Sequence, residues 1–335
     1  MDLTTRYLGL DLRNPLVASA SPLSNTVDGV RRLAGAGVGA VVLFSLFEEQ
    51  LRREAAQNAA LADAGTESFA ESLSYFPAEA EEDPGPRRYL NLLERAVASV
   101  DIPVIASLNG STAGGWTDYA TALERAGAAA IELNIYHLPG DPLFPGRDVE
   151  QRHVEILTTV KAVVKVPVAV KMSPYYSSTG EMALRLDRAG ADGLVLFNRF
   201  LQPDIDPETL AVTSQFGLSS PAEGRLPRAW IALLAGRVAA SLAATTGVEE
   251  PADVVRYLLA GADVVMTASA LIRHGPGYAG VLLDGLSAWL ARKGFAAVSD
   301  ARGLLSVPAG ADGAAYERAA YVSALESANR GRGPW

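Results

Sequence analysis

Four polar side chains in this 335-residue chain stand where runs of apolar residues end. Asn109 follows IASL, Asn134 closes IELN, Lys171 closes VPVAVK and Asn198 closes LVLFN. If each run is a strand of one parallel barrel, all four converge on the mouth formed by the strand C-termini, where barrel enzymes build their sites. A lysine closing a buried strand has to leave its ammonium somewhere tolerable. It serves either as a fixed cation beside an anion or electron-rich cofactor, or as a side chain snorkelling past the rim into solvent.

Two further segments have another composition. ATTGV (Ala244 to Val248) and MTASAL (Met266 to Leu271) consist largely of small residues. Such turns let backbone N–H groups approach a phosphate, with a helix N-terminus behind them. Strand-to-helix turns are also small for packing reasons alone, so these segments gain meaning only in company with the lysine and the asparagines.

The elements that must position these groups are legible in the apolar pattern. Strands are expected near Leu16–Ala20, Ala40–Phe44, Pro103–Ser107, Ala130–Asn134, Val168–Lys171, Gly193–Phe197, Ala239–Ala243 and Val264–Thr267. Continuous runs such as VPVAVK and DGLVLF fit strands buried on both faces. Helices are expected over Asp118 to Ala128, Thr179 to Gly190 and Pro251 to Gly261, each leading into a small-residue segment (AGAAAIEL, AGADGLVL, AGADVVMT). This rhythm predicts an α/β fold, a (β/α)8 TIM barrel over residues 1–305, with residues 306–335 a C-terminal extension carrying a helix from Ala314 to Asn329. Long stretches at Glu48 to Arg88, His137 to Asp148 and Phe200 to Pro227 read as insertions at the C-terminal face. A doubly wound open sheet is the alternative, but no G-x-G-x-x-G follows the first strand.

Composition narrows the chemistry. There are no cysteines, which removes disulfides, thiolate nucleophiles and cysteine-held clusters from this chain. The net charge is −9, so no general attraction for nucleic acid or anionic lipid is expected. Neither a signal peptide nor an apolar span of membrane length is read, and the expected location is cytoplasmic.

The order and spacing of NPLVASAS (Asn14 to Ser21), AIELN, VAVKMSP (Val168 to Pro174), LFN (Leu196 to Asn198), ATTGV and LLAGADVVMTASALIRHGP (Leu258 to Pro276) resemble the dihydroorotate dehydrogenase family. The likeness is to its soluble branch and to the catalytic domain of dihydropyrimidine dehydrogenase, over about residues 5 to 295. The resemblance implies an FMN cofactor. It assigns Ser19, Ala20 and Ser21 to the flavin ring, Asn109 to the ribityl chain and Lys171 to the end of the flavin where negative charge accumulates on reduction. It assigns Thr246, Gly247, Ala268 and Ser269 to the phosphate, and Asn134 and Asn198 to a pyrimidine ring.

The substrate side departs from the family pattern. Where the family has N-L-S-C-P-N, with a cysteine or serine base, this chain has N-I-Y-H-L-P, and His137 falls in the base position. Its ordinary pKa near neutrality suits general-base work, and Tyr136 is a second candidate. The family's strand-two lysine is replaced by Phe44, and its N-x-M-G-L-x-N motif by ESLSYFP, where Glu71 would repel a substrate carboxylate. Phe44, Tyr75 and Phe76 predict a more apolar substrate pocket, or loop packing against the barrel.

The expected function is therefore an FMN-dependent oxidoreductase acting on dihydroorotate or a related small heterocycle. A soluble electron acceptor or partner redox protein is expected, and the soluble branch often forms homodimers. The alternatives are a flavin-free phosphate-binding isomerase or lyase, and a binding protein that keeps the fold without catalysis.

Overall fold

The computed structural model describes residues 1–49, 86–110, 116–137, 140–214 and 217–329. The chain opens with a hairpin that the sequence reading did not anticipate, β1 (Thr5–Tyr7) antiparallel to β2 (Leu10–Leu12). Its two-residue turn, Leu8–Gly9, has φ of 53° and 75°, the backbone that matches the twist of paired strands. Leucine is a poor residue for that conformation. Tertiary contacts hold it there: Leu8 is buried, its N–H donates to Ser241 Oγ at 3.1 Å, and its side chain occupies the space a Cβ on Gly193 would need.

The strands β3 (Leu16–Ala18), β4 (Ala40–Phe47), β5 (Val104–Gly110), β6 (Ala130–Ile135), β7 (Val168–Lys171) and β8 (Gly193–Leu196) follow in turn, each parallel to the last. A second hairpin, β9 (Asp204–Asp206) with β10 (Ala211–Thr213), lies within the insertion after β8. Strands β11 (Ser241–Ala244) and β12 (Val264–Thr267) then close the sheet into a barrel of eight, with β11 beside β8 and β12 beside β3. The fold is the expected α/β barrel.

Inward residues of the lower barrel, among them Val17, Val42, Ile105, Ala169 and Val195, pack with Tyr7, Leu8 and Leu12, so the first hairpin plugs the end opposite the site. Alternate residues face outward onto the helices and form the larger core. The helices obey their caps. Thr26 and Ser178 side chains accept from Gly29 and Glu181 N–H groups, and the helix Pro251–Ala260 ends on Gly261 at φ 117°.

The seventh barrel strand begins two residues later than expected, because the Asp187 carboxylate accepts the N–H groups of Ala239 and Ala240 before the ladder starts. After the barrel, Arg237 donates to the carbonyls of Pro308, Ala309 and Ala311 and so ties the extension down ahead of its helix, Gly313–Asn329. No helix of the described residues is long and apolar enough to cross a membrane.

Candidate functional site

The C-terminal mouth holds a cavity of about 290 Å³. Ser19, Ala20 and Ser21 line it just beyond β3, Asn134 at the end of β6, Lys171 at the end of β7 and Asn198 just past β8. Thr246, Ala268 and Ser269 line it from the turns after β11 and β12. Nine of the residues singled out from the sequence thus share one cavity.

Strand alternation explains why. On β6, Ala130, Glu132 and Asn134 share the inward face, and on β7, Ala169 and Lys171 do, with both alanines in the inner barrel core. Lys171 and Glu132 therefore meet inside the barrel, Nζ to Oε1 at 3.4 Å, with Glu132 only 1% exposed and Lys171 8%. The second carboxylate oxygen, Oε2, is buried with no hydrogen-bond partner among the described residues. A buried ion pair is a weak stabiliser, because desolvation offsets most of its attraction. Beside it, Ser45 Oγ and Ser107 Oγ lie 2.9 Å apart, and the Tyr89 hydroxyl accepts the Ser107 N–H at 2.9 Å. Burial pushes that phenol well above its ordinary pKa, so it stays neutral.

Asn198 donates from Nδ2 to Asn134 Oδ1 at 2.6 Å, and its backbone is anchored by its own N–H to Met172 O at 2.8 Å. The pairing leaves Asn134 Nδ2 as a donor and Asn198 Oδ1 as an acceptor, a match for the alternating polar edge of an amide-containing ring.

The opposite wall is cross-braced. Thr246 and Gly247 both have positive φ, 78° and 69°, and a Cβ on Gly247 would lie 2.5 Å from Gly224 N. The Tyr257 hydroxyl donates to Thr246 O at 2.6 Å and lies 3.1 Å from Thr245 O. Ser219 joins the two turns. Its Oγ accepts the Gly247 N–H at 3.2 Å and lies 3.0 Å from Ser269 Oγ, and its N–H donates to the same Ser269 oxygen at 3.0 Å. Gly247 is not among the residues that line the cavity, and its positive φ shapes the turn beside it.

Besides Gly247, three expected residues lie away from this cavity. A bulge in β4 between Val42 and Ser45 changes the register, so Ser45 faces the cavity while the Phe44 ring packs 5.1 Å from Tyr89 against the outer core. Asn109, next to last in β5, is in register with Asn134 but does not line the cavity. Tyr75, with Glu71 and Phe76, lies outside the described residues.

His137 is the third. Past β6 the chain turns outward, with the Tyr136 ring stacked 4.6 Å from Phe200. His137 lines a separate cavity of about 460 Å³ with Glu150, His153 and Ser173. Its Nδ1 is 3.4 Å from Arg152 Nη1, and its ring meets Phe144 edge-on at 5.8 Å. Burial and then the nearby guanidinium lower its pKa, so it is neutral at pH 7. The structure does not bring the expected base to the cavity that holds Lys171.

Glu132, Ser45, Ser219 and Tyr257 were not singled out from the sequence. A signal existed for Glu132: a carboxylate inside the apolar run AIELN, two residues before Asn134, shares its face. Ser219 sits in a long insertion with no periodic pattern to mark it.

Fold and site define a (β/α)8 barrel with a small-molecule cavity at the strand C-termini, bounded by a cation, an amide pair and two small-residue turns. The chain belongs to the dihydroorotate dehydrogenase family: the family model described as dihydroorotate dehydrogenase matches residues 2–290. It is similar to a protein of Methanocella arvoryzae named dihydroorotate dehydrogenase B (NAD(+)), catalytic subunit, with 30% identity over 296 residues, covering 88% of this chain and 94% of the relative. The Pyrococcus abyssi protein of the same name is 27% identical over 309 residues, covering 90% of this chain and 98% of the relative. Family membership places the chain among oxidoreductases.

Proposed function

We propose that this chain is an FMN-dependent oxidoreductase that exchanges two electrons with dihydroorotate or a closely related small heterocycle. One observation carries the reading: a buried ammonium and an amide pair share a cavity whose far wall is two small-residue turns. The residues fit FMN. Thr246, Ala268 and Ser269 border the end suited to a phosphate, and Gly247 gives the turn a shape that a Cβ would block. Ser19, Ala20 and Ser21 provide a small-residue wall for a flat ring. When bound, FMN supplies the capacity to take up or release a hydride equivalent.

The chain's own residues do the rest. Lys171, braced by Glu132, presents positive charge where a ligand gains negative charge, and the brace fixes its direction before reaction. Asn134 and Asn198 hold the substrate ring through one donor and one acceptor, fixed by their mutual hydrogen bond. His137, held against Arg152 in another cavity, has no part in this reading as proton acceptor. A soluble acceptor or redox partner removes the electrons.

Purified full-length chain tests the proposal. It is expected to be yellow, with one FMN per chain, and to bleach when mixed anaerobically with dihydroorotate. Colourless protein that takes up no added FMN would overturn the cofactor assignment and favour a flavin-free barrel. Yellow protein that dihydroorotate leaves oxidised would overturn the substrate assignment alone.

A further inference from the structure

The cavity that His137 lines also holds a histidine with one nitrogen unsatisfied. His153 is 0% exposed, and its Nδ1 lies 2.8 Å from Val149 O, one turn back in the helix Gly146–Lys161. A carbonyl only accepts, so Nδ1 carries the ring proton and Nε2 is a bare lone pair. Burial lowers the pKa of this imidazole to about 4, so the ring is neutral at pH 7. Nε2 is buried with no hydrogen-bond partner among the described residues. With Nδ1 turned back to its own helix, Nε2 points away from it, on the side of the cavity between that helix and the segment after β7. An acceptor buried in this way costs the fold free energy unless a donor reaches it.

The rest of the cavity offers donors. The helix begins at Gly146, which lines the cavity, and its N-cap, Pro145, supplies no side-chain cap. Asp148 and Val149 donate to Pro145 O, while the N–H groups of Gly146 and Arg147 have no acceptor inside the helix. Ser173 Oγ accepts the Tyr175 N–H at 3.1 Å and the Tyr176 hydroxyl accepts the Ser173 N–H at 3.4 Å, and each hydroxyl keeps its own hydrogen to give. Burial raises the Tyr176 pKa well above its ordinary value, so that phenol stays protonated. The Glu150 carboxylate also lines the cavity but is engaged: Oε1 accepts from Ser177 Oγ at 2.8 Å and Oε2 is 3.6 Å from Arg185 Nη1. Several donors thus surround one buried acceptor at the positive end of a 16-residue helix.

That combination fits an oxyanion that still carries a proton. We propose that the cavity binds a phosphate group bearing a proton, free or as a monoester. Its O–H donates to His153 Nε2, and its other oxygens accept from the Gly146 N–H and the Ser173 and Tyr176 hydroxyls. An oxyanion of the same shape without a proton, such as sulfate, sets lone pair against lone pair at Nε2 and is rejected. The site is separate from the small-residue turns at the barrel mouth and does not depend on the function proposed above.

The test uses the full chain saturated with FMN, which fills the barrel mouth, and labelled with nitrogen-15 in its histidines. There are three, so single substitutions assign the signals. At pH 6.5 inorganic phosphate should shift the Nε2 resonance of His153 saturably, and sulfate should leave it in place. In calorimetry phosphate should bind at least about tenfold more tightly than sulfate. Ser173→Ala should weaken both anions. His153→Gln, whose amide can donate to either, should bring the two affinities together; if that variant does not fold, the wild-type comparison of the two anions decides. Glycerol 3-phosphate binding more tightly than inorganic phosphate would assign the cavity to esters, and the reverse order to the free ion. A His153 resonance that phosphate does not move, or equal affinity of wild type for phosphate and sulfate, would overturn the site. Protein that takes up no FMN would defeat the function proposed above, while the same resonance still decides this site.

Discussion

The two sides of the barrel mouth are built differently. On the β11–β12 side the turns are cross-braced by hydrogen bonds, the Tyr257 hydroxyl donating to the Thr246 carbonyl and Ser219 bonded to both Gly247 and Ser269. On the β4–β6 side the strand ends run into long insertions. A bulge removes Phe44 from the site, and the chain leaves β6 with His137 turned to a neighbouring cavity. A phosphate-tailed cofactor needs a fixed wall, whereas substrates vary. The braced side is where a constant ligand would sit, and the loop side is where the chain departs from its family.

The largest effect is expected at the joint between the sides. Lys171→Met should slow substrate-driven flavin reduction by about 10²–10³-fold, by analogy with loss of one preorganised charge-stabilising donor. It should also destabilise the fold by about 3–5 kcal/mol, because Glu132 is left charged and buried without a partner. Adding Glu132→Leu should restore most of the stability, read by denaturant unfolding, and none of the rate. If the double variant regains activity, the ammonium serves the fold and not the chemistry.

On the braced side, Gly247→Ala should cost about 1–3 kcal/mol through backbone strain alone, with contact against Gly224 added to it, and should weaken FMN binding. Unchanged FMN affinity in a folded variant would separate this turn from the cofactor. A smaller loss is expected for Tyr257→Phe, about 1 kcal/mol for one buried hydrogen bond, with FMN affinity reduced and the rate with saturating FMN retained. The smallest effect is on the loop side. His137→Ala should change single-turnover flavin reduction by less than about twofold, because the ring does not line the cavity. A general base would instead show about 10²–10⁴-fold. That result would return His137 to the mechanism and show that the loop side rearranges on substrate binding.

What could be read in the sequence followed the same division. Barrel strands announce themselves because burial on both faces demands continuous apolar runs, and polar residues that end them, such as Lys171, Asn134 and Asn198, have one place to go. The small-residue turns were legible for a similar reason, since backbone must approach closely there. Phe44 was misplaced because a bulge shifts the face of every residue after it, and nothing in AVVLFSLF marks where the extra residue is accommodated. The first hairpin was missed because its turn uses leucine at positive φ, a choice made by distant contacts with Ser241 and Gly193. His137 falls in the base position of the family's loop pattern, but the direction of a loop is set by its packing, here Tyr136 on Phe200 and His137 on Phe144.

The measurement closest to the central claim is the two-electron reduction potential of FMN bound to wild type and to Lys171→Met. If the ammonium stands beside the end of the flavin that becomes negative, removing it should lower the potential by at least about 30 mV, a tenfold change in the equilibrium. Equal potentials in two proteins that bind FMN equally well would contradict it.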